Sequence, residues 1–180
     1  MEHLKLATMW LAGCSGCHMS FLDLDEFLID LAGMIDIVYT PLIDAKVFPE
    51  RVDVTLLEGA VANQDQLEFV KLVRARTTIL VSFGDCAVTG NVTAMRNPLG
   101  GAEVILRRSY IDSVDTGAQF PSSPGVLPQL LDRVIPLHHV VPVDVYIPGC
   151  PPPASRIRAV LEQLIGQHPA QLAGADVKFG

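Results

Sequence analysis

The sequence has few charged side chains and no long run of basic or apolar residues. Asp, Glu, Lys and Arg together make up 18% of its 180 residues, and the formal net charge is −7. Its longest basic cluster is Arg107-Arg108, so we expect no nucleic-acid partner. Its apolar runs are shorter than the about 20 residues of a membrane-spanning helix, so we expect no membrane span. Apolar residues nevertheless make up 49% of the chain, which predicts a large core or a surface that a partner covers.

Nucleotide-binding motifs are missing as well. No Gly-x-Gly-x-x-Gly follows a predicted strand, and no phosphate-binding loop is present. The sequence therefore contains no motif for a nucleotide or flavin site, and the binding of an additional flavin near the loops stays open.

The amino-terminal stretch is a poor signal peptide. Leu11-Ala12-Gly13-Cys14 resembles a lipoprotein cleavage box, in which the cysteine is acylated. A signal peptide, however, needs a positive start and a long apolar region, and here the start contains Glu2 and the apolar region is short. We therefore interpret this segment as a buried first strand and expect a cytoplasmic protein.

Short runs rich in Val, Ile and Leu recur along the chain and predict strands buried on both faces of a parallel sheet. These runs are residues 4–11, 35–39, 52–57, 78–83 and 143–147. Helical patterns separate them, at residues 18–31, 63–76 and 155–165. The alternation predicts an α/β fold with helices on both faces of an open sheet, in the flavodoxin-like strand order 2-1-3-4-5.

We expect residues 1–180 to form a single flavodoxin-like domain with one irregular excursion at residues 97–142. Short helices are predicted inside it at residues 103–111 and 126–134. An excursion of this length is usually functional or part of an interface, although a surface meander without a role is the ordinary alternative.

The four cysteines of the chain follow the ends of predicted strands. Cys14 and Cys17 come after the first strand, Cys86 after the fourth and Cys150 after the fifth. Because the loops at the carboxyl ends of parallel strands converge on one edge of the sheet, we expect the four thiols to meet there.

Converging thiols allow several chemistries. Two disulfides are disfavoured by the expected cytoplasmic location, and a thioredoxin-type pair would use only Cys14 and Cys17. Structural zinc is a competitor, but its ligands usually come as two close pairs. One close pair joined to two distant single cysteines favours a cubane [4Fe–4S] cluster, which takes four thiolates.

The motifs around the cysteines resemble those of the small subunits of nickel–iron hydrogenases, in the part that carries the proximal cluster. The matching segments are "WLAGCSGC", "LLEGAV", "GDCAVTG" and "PGCPP", in the family's order, from residue 10 to residue 153. Within this family the resemblance is strongest to the small (delta) subunits of the cytoplasmic NAD-reducing, bidirectional enzymes, which "WLAGCSGCHMSFLDLDEFLIDLA" and the ending "VKFG" also resemble.

The resemblance implies a role for five residues. Cys14, Cys17, Cys86 and Cys150 would hold the cluster, and Glu58, in the family's "EG" motif, would form hydrogen bonds behind the ligands or handle protons. A solvent-facing or capping carboxylate is the alternative for Glu58.

Two neighbours of the cysteine pair receive smaller roles. The resemblance gives His18 at most a supporting role near the cluster. We prefer the interpretation that His18 stands at the start of a helix and has no role at the site. Trp10 is interpreted as a packing residue rather than as an electron conduit.

The resemblance also implies cofactors and partners. This chain would hold one [4Fe–4S] cluster, while the nickel–iron centre would lie in a large subunit, and NAD and FMN in the flavin and iron–sulfur subunits of a diaphorase. The expected function is therefore electron transfer between the nickel–iron site and the diaphorase, as part of a hydrogen:NAD+ oxidoreductase.

Two alternatives to this function stay open. One is a quinone-reductase subunit similar to that of respiratory complex I, but that family has adjacent cysteines at the first site, where Ser15 and Gly16 separate Cys14 from Cys17. The other is a zinc-stabilised binding module.

Overall fold

The computed structural model describes residues 3–166, 168–170 and 172–177. A parallel sheet of five strands forms its centre, in the order β2-β1-β3-β5-β7. Two further strands, β4 and β6, pair antiparallel in a separate sheet. The strands are β1 (Leu4–Trp10), β2 (Ile35–Tyr39), β3 (Val52–Glu58), β4 (Val61–Asn63), β5 (Thr77–Phe83), β6 (Leu130–Ile135) and β7 (Val145–Ile147). The predicted fold class and the order of the five predicted strands are confirmed.

Both faces of the central sheet are buried, because successive side chains of a strand point to opposite faces. On β5, Val81 packs into a core with residues of α1, α2 and α6, whereas Leu80 packs into a second core with residues of α3. The helices are α1 (Gly16–Leu22), α2 (Phe27–Ala32), α3 (Gln64–Arg76), α4 (Asp85–Thr89), α5 (Ala102–Arg107) and α6 (Ala154–Ile165).

The continuous helix predicted at residues 18–31 is wrong. The chain instead forms α1 and α2, separated by a turn at residues 23–26. Asp25 has a φ of 51°, a left-handed conformation that an α-helix cannot contain. The apolar spacing survives this break, since Phe21, Leu24, Phe27 and Leu31 are all buried.

The helices predicted at residues 63–76 and 155–165 are confirmed within one residue at each start. At the start of α3 the side chain of Asn63 accepts a hydrogen bond from the N–H of Gln66 at 2.9 Å. This contact satisfies one of the N–H groups that a helix leaves without a partner at its amino end.

The excursion at residues 97–142 is tied to the rest of the fold by β6. The helix predicted at residues 126–134 is wrong, because Leu130–Ile135 forms β6 and pairs with β4. Arg96 donates hydrogen bonds to the carbonyls of Ala62, Leu131 and Asp132, and thereby joins the two strands.

Asn97 also holds this strand, since its side-chain amide makes two 2.8 Å hydrogen bonds to the backbone of Val134. The helix predicted at residues 103–111 is present as α5, followed by a π-helical turn at Arg108–Asp112.

A 3-10 turn, Gly174–Val177, lies near the end of the chain. The last three residues of the "VKFG" segment lie outside the described residues. Within the ranges that the structure describes, no helix is long and apolar enough to cross a bilayer.

Candidate metal centre

All four cysteines lie at the carboxyl edge of the central sheet, as the sequence predicts. Cys14 lies in the loop after β1, and Cys150 lies in the loop after β7. Cys17 and Cys86 occupy the first turns of α1 and α4 rather than loops. All four are free thiols; Cys17 and Cys86 are buried, while Cys14 and Cys150 are exposed.

Asp85 joins the loops that carry Cys86 and Cys150. Its N–H donates to the carbonyl of Gly149 at 2.9 Å, and its carboxylate accepts from the N–H of Gly149 at 2.6 Å. The N–H of Gly84 also donates to the carbonyl of Ile147 at 2.8 Å, which continues the pairing of β5 with β7 past the strand ends. Two cysteines that are far apart in sequence are thereby fixed side by side.

Gly84 leaves the space that Cys17 occupies beside the loops of Cys86 and Cys150. A Cβ atom added at Gly84 would overlap with Sγ of Cys17, and the φ of Gly84 is +82°. Only glycine fits this position without displacing the thiol. From the other side, the hydroxyl of Ser20 donates to the carbonyl of Pro152 at 2.6 Å and ties α1 to the loop of Cys150.

Glu58 is buried at the end of β3, with 2% of its side chain exposed. Its carboxylate accepts hydrogen bonds from the backbone N–H of Cys17 at 3.4 Å and of His18 at 3.0 Å. These are N–H groups of the first turn of α1, which lack partners inside the helix. Glu58 is therefore not solvent-facing; it caps the turn that carries a cysteine of the site.

His18 is the second buried polar residue beneath the cysteines. Its Nδ1 lies 2.5 Å from Oε2 of Glu58, and its ring contacts the ring of Trp10 edge-on at a centroid distance of 5.3 Å. Nε2 of His18 is buried and has no hydrogen-bond partner among the described residues.

Asn91 adds a direct contact to one thiol. Its side-chain N–H₂ lies 3.2 Å from Sγ of Cys150, where it acts as a hydrogen-bond donor to sulfur. Asn91 follows α4 and Gly90 with a φ of 36°. This conformation, which asparagine tolerates better than most residues, turns the chain back towards Cys150.

The electrostatics of the site favour the protonated form of its two buried thiols in the absence of a positively charged partner. Burial raises the pKa of the Cys17 thiol, and the charges of Glu58 and of the other three cysteines raise this pKa further. Burial also raises the pKa of Cys86, and the charges of Cys14 and Cys150 add to that effect. Binding to a cation would stabilise the thiolates of these two buried cysteines.

The donor set fits an iron–sulfur cluster. Four thiols are the complete ligand set of a [4Fe–4S] cubane, one for each iron, and Asn91 supplies an N–H donor of the kind that surrounds cluster sulfurs. No group of three or more His, Cys, Asp or Glu side chains in the described part of the chain is arranged around a single metal ion.

Three residues that support the site escaped the sequence reasoning. They are Ser20, Asp85 and Asn91. Asp85 stands immediately before Cys86, which is a signal in the sequence, but the backbone groups and the Cys150 thiol that these side chains contact come near them only in the folded chain.

Comparison with known proteins places the chain among redox subunits. A family model described as "NADH ubiquinone oxidoreductase, 20 Kd subunit" matches residues 14–164. The chain is 38% identical over 180 residues to the delta subunit of the NAD-reducing hydrogenase HoxS of Cupriavidus necator, covering 98% of this chain and 85% of that one.

It is also 38% identical over 176 residues to a subunit of the F420-non-reducing hydrogenase of Methanothermobacter thermautotrophicus. That alignment covers 93% of this chain but only 55% of the relative, so the chain spans about half the length of that protein.

Solved structures agree with these matches. A chain from the crystal structure of an NAD+-reducing [NiFe]-hydrogenase in the H2-reduced state superimposes with a TM-score of 0.93 at 35% identity, covering 99% of this chain and all of that one. A chain of the [NiFeSe]-hydrogenase of Dm. baculatum has a TM-score of 0.57 at 15% identity, with 98% of this chain and 69% of that chain covered, which shows a shared fold alone.

Proposed function

The chain belongs to the family of the 20 kDa subunit of NADH ubiquinone oxidoreductase, and from that membership we propose that it is the electron-transfer subunit of a NAD-reducing nickel–iron hydrogenase. The proposal rests on four free thiols that lie at one edge of the sheet. The chain that carries them resembles the HoxS delta subunit over nearly its whole length. We also propose that residues 1–180 form one iron–sulfur domain in the cytoplasm.

In this proposal Cys14, Cys17, Cys86 and Cys150 hold one [4Fe–4S] cluster. When bound, such a cluster takes up and releases electrons one at a time. The chain supplies the thiolates and the N–H donor of Asn91, and Glu58 holds the first turn of α1 so that Cys17 stays in place. The raised pKa of Cys17 and Cys86 supports the assignment, because their thiolates need a positive partner.

Hydrogen is oxidised in a large nickel–iron subunit, and two electrons from each H2 pass through this chain to a diaphorase with iron–sulfur and flavin subunits. There they reduce NAD+ together with one proton, so that H2 and NAD+ give NADH and H+. The nickel–iron centre belongs to the large subunit, since the cluster would use all four cysteines of this chain. NAD and FMN belong to the diaphorase, since this chain has no nucleotide-binding motif.

The test is anaerobic purification of the chain together with the partners that co-purify with it. About four irons for each copy of the chain once it is separated from those partners, an EPR signal on reduction, and hydrogen-dependent reduction of NAD+ by the intact complex would support the proposal. One zinc and no iron would overturn it in favour of a zinc-stabilised module. Activity of a Cys14→Ala complex that holds no cluster would also overturn it, because electrons would then bypass the site.

A quinone-reductase subunit like that of respiratory complex I is the second candidate, and the description of the matching family model favours it. Against it stands the cysteine pair, which Ser15 and Gly16 separate. Assaying the purified complex with hydrogen and with NADH as donors, and NAD+ and a soluble quinone as acceptors, decides between the two.

A further inference from the structure

We propose that His18 is a positioning residue for the cluster, which acts through its Nδ1 atom by holding Glu58 against the turn that carries Cys17. This inference rests on the proposed function, because it assigns a role towards the cluster of that site. It goes beyond that function by giving a task to a residue that contributes no ligand.

The first step of the argument is the identity of the donor. Oε2 of Glu58 already accepts the backbone N–H of His18 and lies 2.5 Å from Nδ1. A carboxylate that caps a helix turn accepts hydrogen bonds and has none to donate. Nδ1 therefore carries the hydrogen, and the ring is held in one orientation.

The second step is the dependence of Cys17 on Glu58. The side chains of Glu58 and His18 are 2% and 4% exposed. Because water has no access to them, breaking their hydrogen bond leaves a buried polar group without a partner, which costs free energy. Glu58 also holds the N–H of Cys17, whose Sγ lies close to Gly84. A Glu58 carboxylate released from His18 can turn away from this N–H, and the direction of the Cys17 thiolate is then no longer fixed.

The third step separates the two ring nitrogens. Nε2 has no partner among the residues that the structure describes, whereas Nδ1 has a short contact to Glu58. The side-chain nitrogen of asparagine occupies the place of Nδ1, and that of glutamine the place of Nε2. His18→Asn and His18→Gln both remove the ring, so comparing them isolates the atom that matters.

The experiment uses the complete complex with His18→Asn, His18→Gln and His18→Ala. Its measurements are the midpoint potential and EPR g-values of the cluster and the rate of iron loss to a chelator. We expect His18→Asn to match the wild type. The Gln and Ala variants should show a displaced midpoint potential and lose iron about tenfold faster, as is typical when a partner of a metal ligand is removed.

A double-mutant comparison tests the route through Glu58. If His18 acts on the cluster through this carboxylate, His18→Gln should add little to the effect of Glu58→Gln. Additive effects would overturn the route through Glu58.

Thr8→Val is the matched control, because the hydroxyl of Thr8 is also buried on β1 and pairs with Thr40 at 2.8 Å. It should lower stability and leave the midpoint potential unchanged. Equal damage from all three His18 variants, or none, would overturn the inference, and so would a potential displaced by Thr8→Val. A wild-type complex without iron would instead overturn the proposed function, so the two failures are distinguishable.

Discussion

The side chain of Asn91 forms a hydrogen bond to a thiol of the site from outside the cysteine loops. Its N–H₂ group donates to Sγ of Cys150. A donor of this kind stabilises the more negative, reduced form of a cluster and so raises its midpoint potential. We predict that Asn91→Ala lowers the midpoint potential measured by redox titration with EPR detection. Asn97→Ala, which removes an amide bound to Val134 instead of to sulfur, is the control and should leave the potential unchanged.

Gly84 is the residue whose replacement should damage the site most directly. A methyl group there would overlap with Sγ of Cys17, and the φ of +82° is strained for alanine. We predict that Gly84→Ala protein contains less than half of the wild-type iron after anaerobic purification. Gly117→Ala is a fitting comparison, since Gly117 also has a positive φ but has open space around it. Full iron content in Gly84→Ala would contradict the close packing of this glycine against Cys17.

The sequence predicts the residues of the site better than their surroundings. Cysteines can be placed from strand order alone, because the carboxyl ends of parallel strands share one edge. The contacts of Asp85 with Gly149, and of Asn91 with Cys150, join segments far apart in the chain and depend on loop conformations that no local pattern encodes. Glu58 was identified from its motif, but its position under α1 required the fold.

At the scale of elements, the start of α3 allows the contribution of a helix cap to the free energy of unfolding to be measured. This start is capped by Asn63, whose side chain accepts a hydrogen bond from the N–H of Gln66. We predict that Asn63→Ala lowers the free energy of unfolding by about 1 kcal/mol. Chemical denaturation followed by circular dichroism measures this change, and Asn63→Asp, which keeps an acceptor oxygen, should recover most of it.

The two elements that the sequence mispredicts have different physical causes. Residues 130–135 carry an apolar pattern compatible with a short helix, and they form β6 because β4, Arg96 and Asn97 offer partners for its backbone. The break between α1 and α2 arises at Asp25, where a polar residue adopts a left-handed conformation within an otherwise helical spacing. In contrast, the five central strands are predicted well because they are buried on both faces.

For the whole molecule, the edge that carries the cysteines also presents apolar side chains. Met19 on α1, and Val92 and Met95 in the 3-10 helix Asn91–Leu99, are each more than half exposed. If the large subunit covers these side chains, Met95→Glu should reduce the amount of large subunit that co-purifies about tenfold, because a charge that a partner buries without a counter-charge is costly. Leu72→Glu is the control, since Leu72 lies in the second half of α3, towards the opposite edge of the sheet.

The strand β7 has a consequence for the order of events in the cell. Among the strands that the structure describes it pairs with β5, at the edge of the sheet, and this pairing together with the clamp of Asp85 places Cys150. During synthesis, Cys14, Cys17 and Cys86 leave the ribosome well before the last thiol does. The four thiols are therefore together only after β7 has joined the sheet, and a chain in which β7 has not yet paired with β5 holds three of them in place.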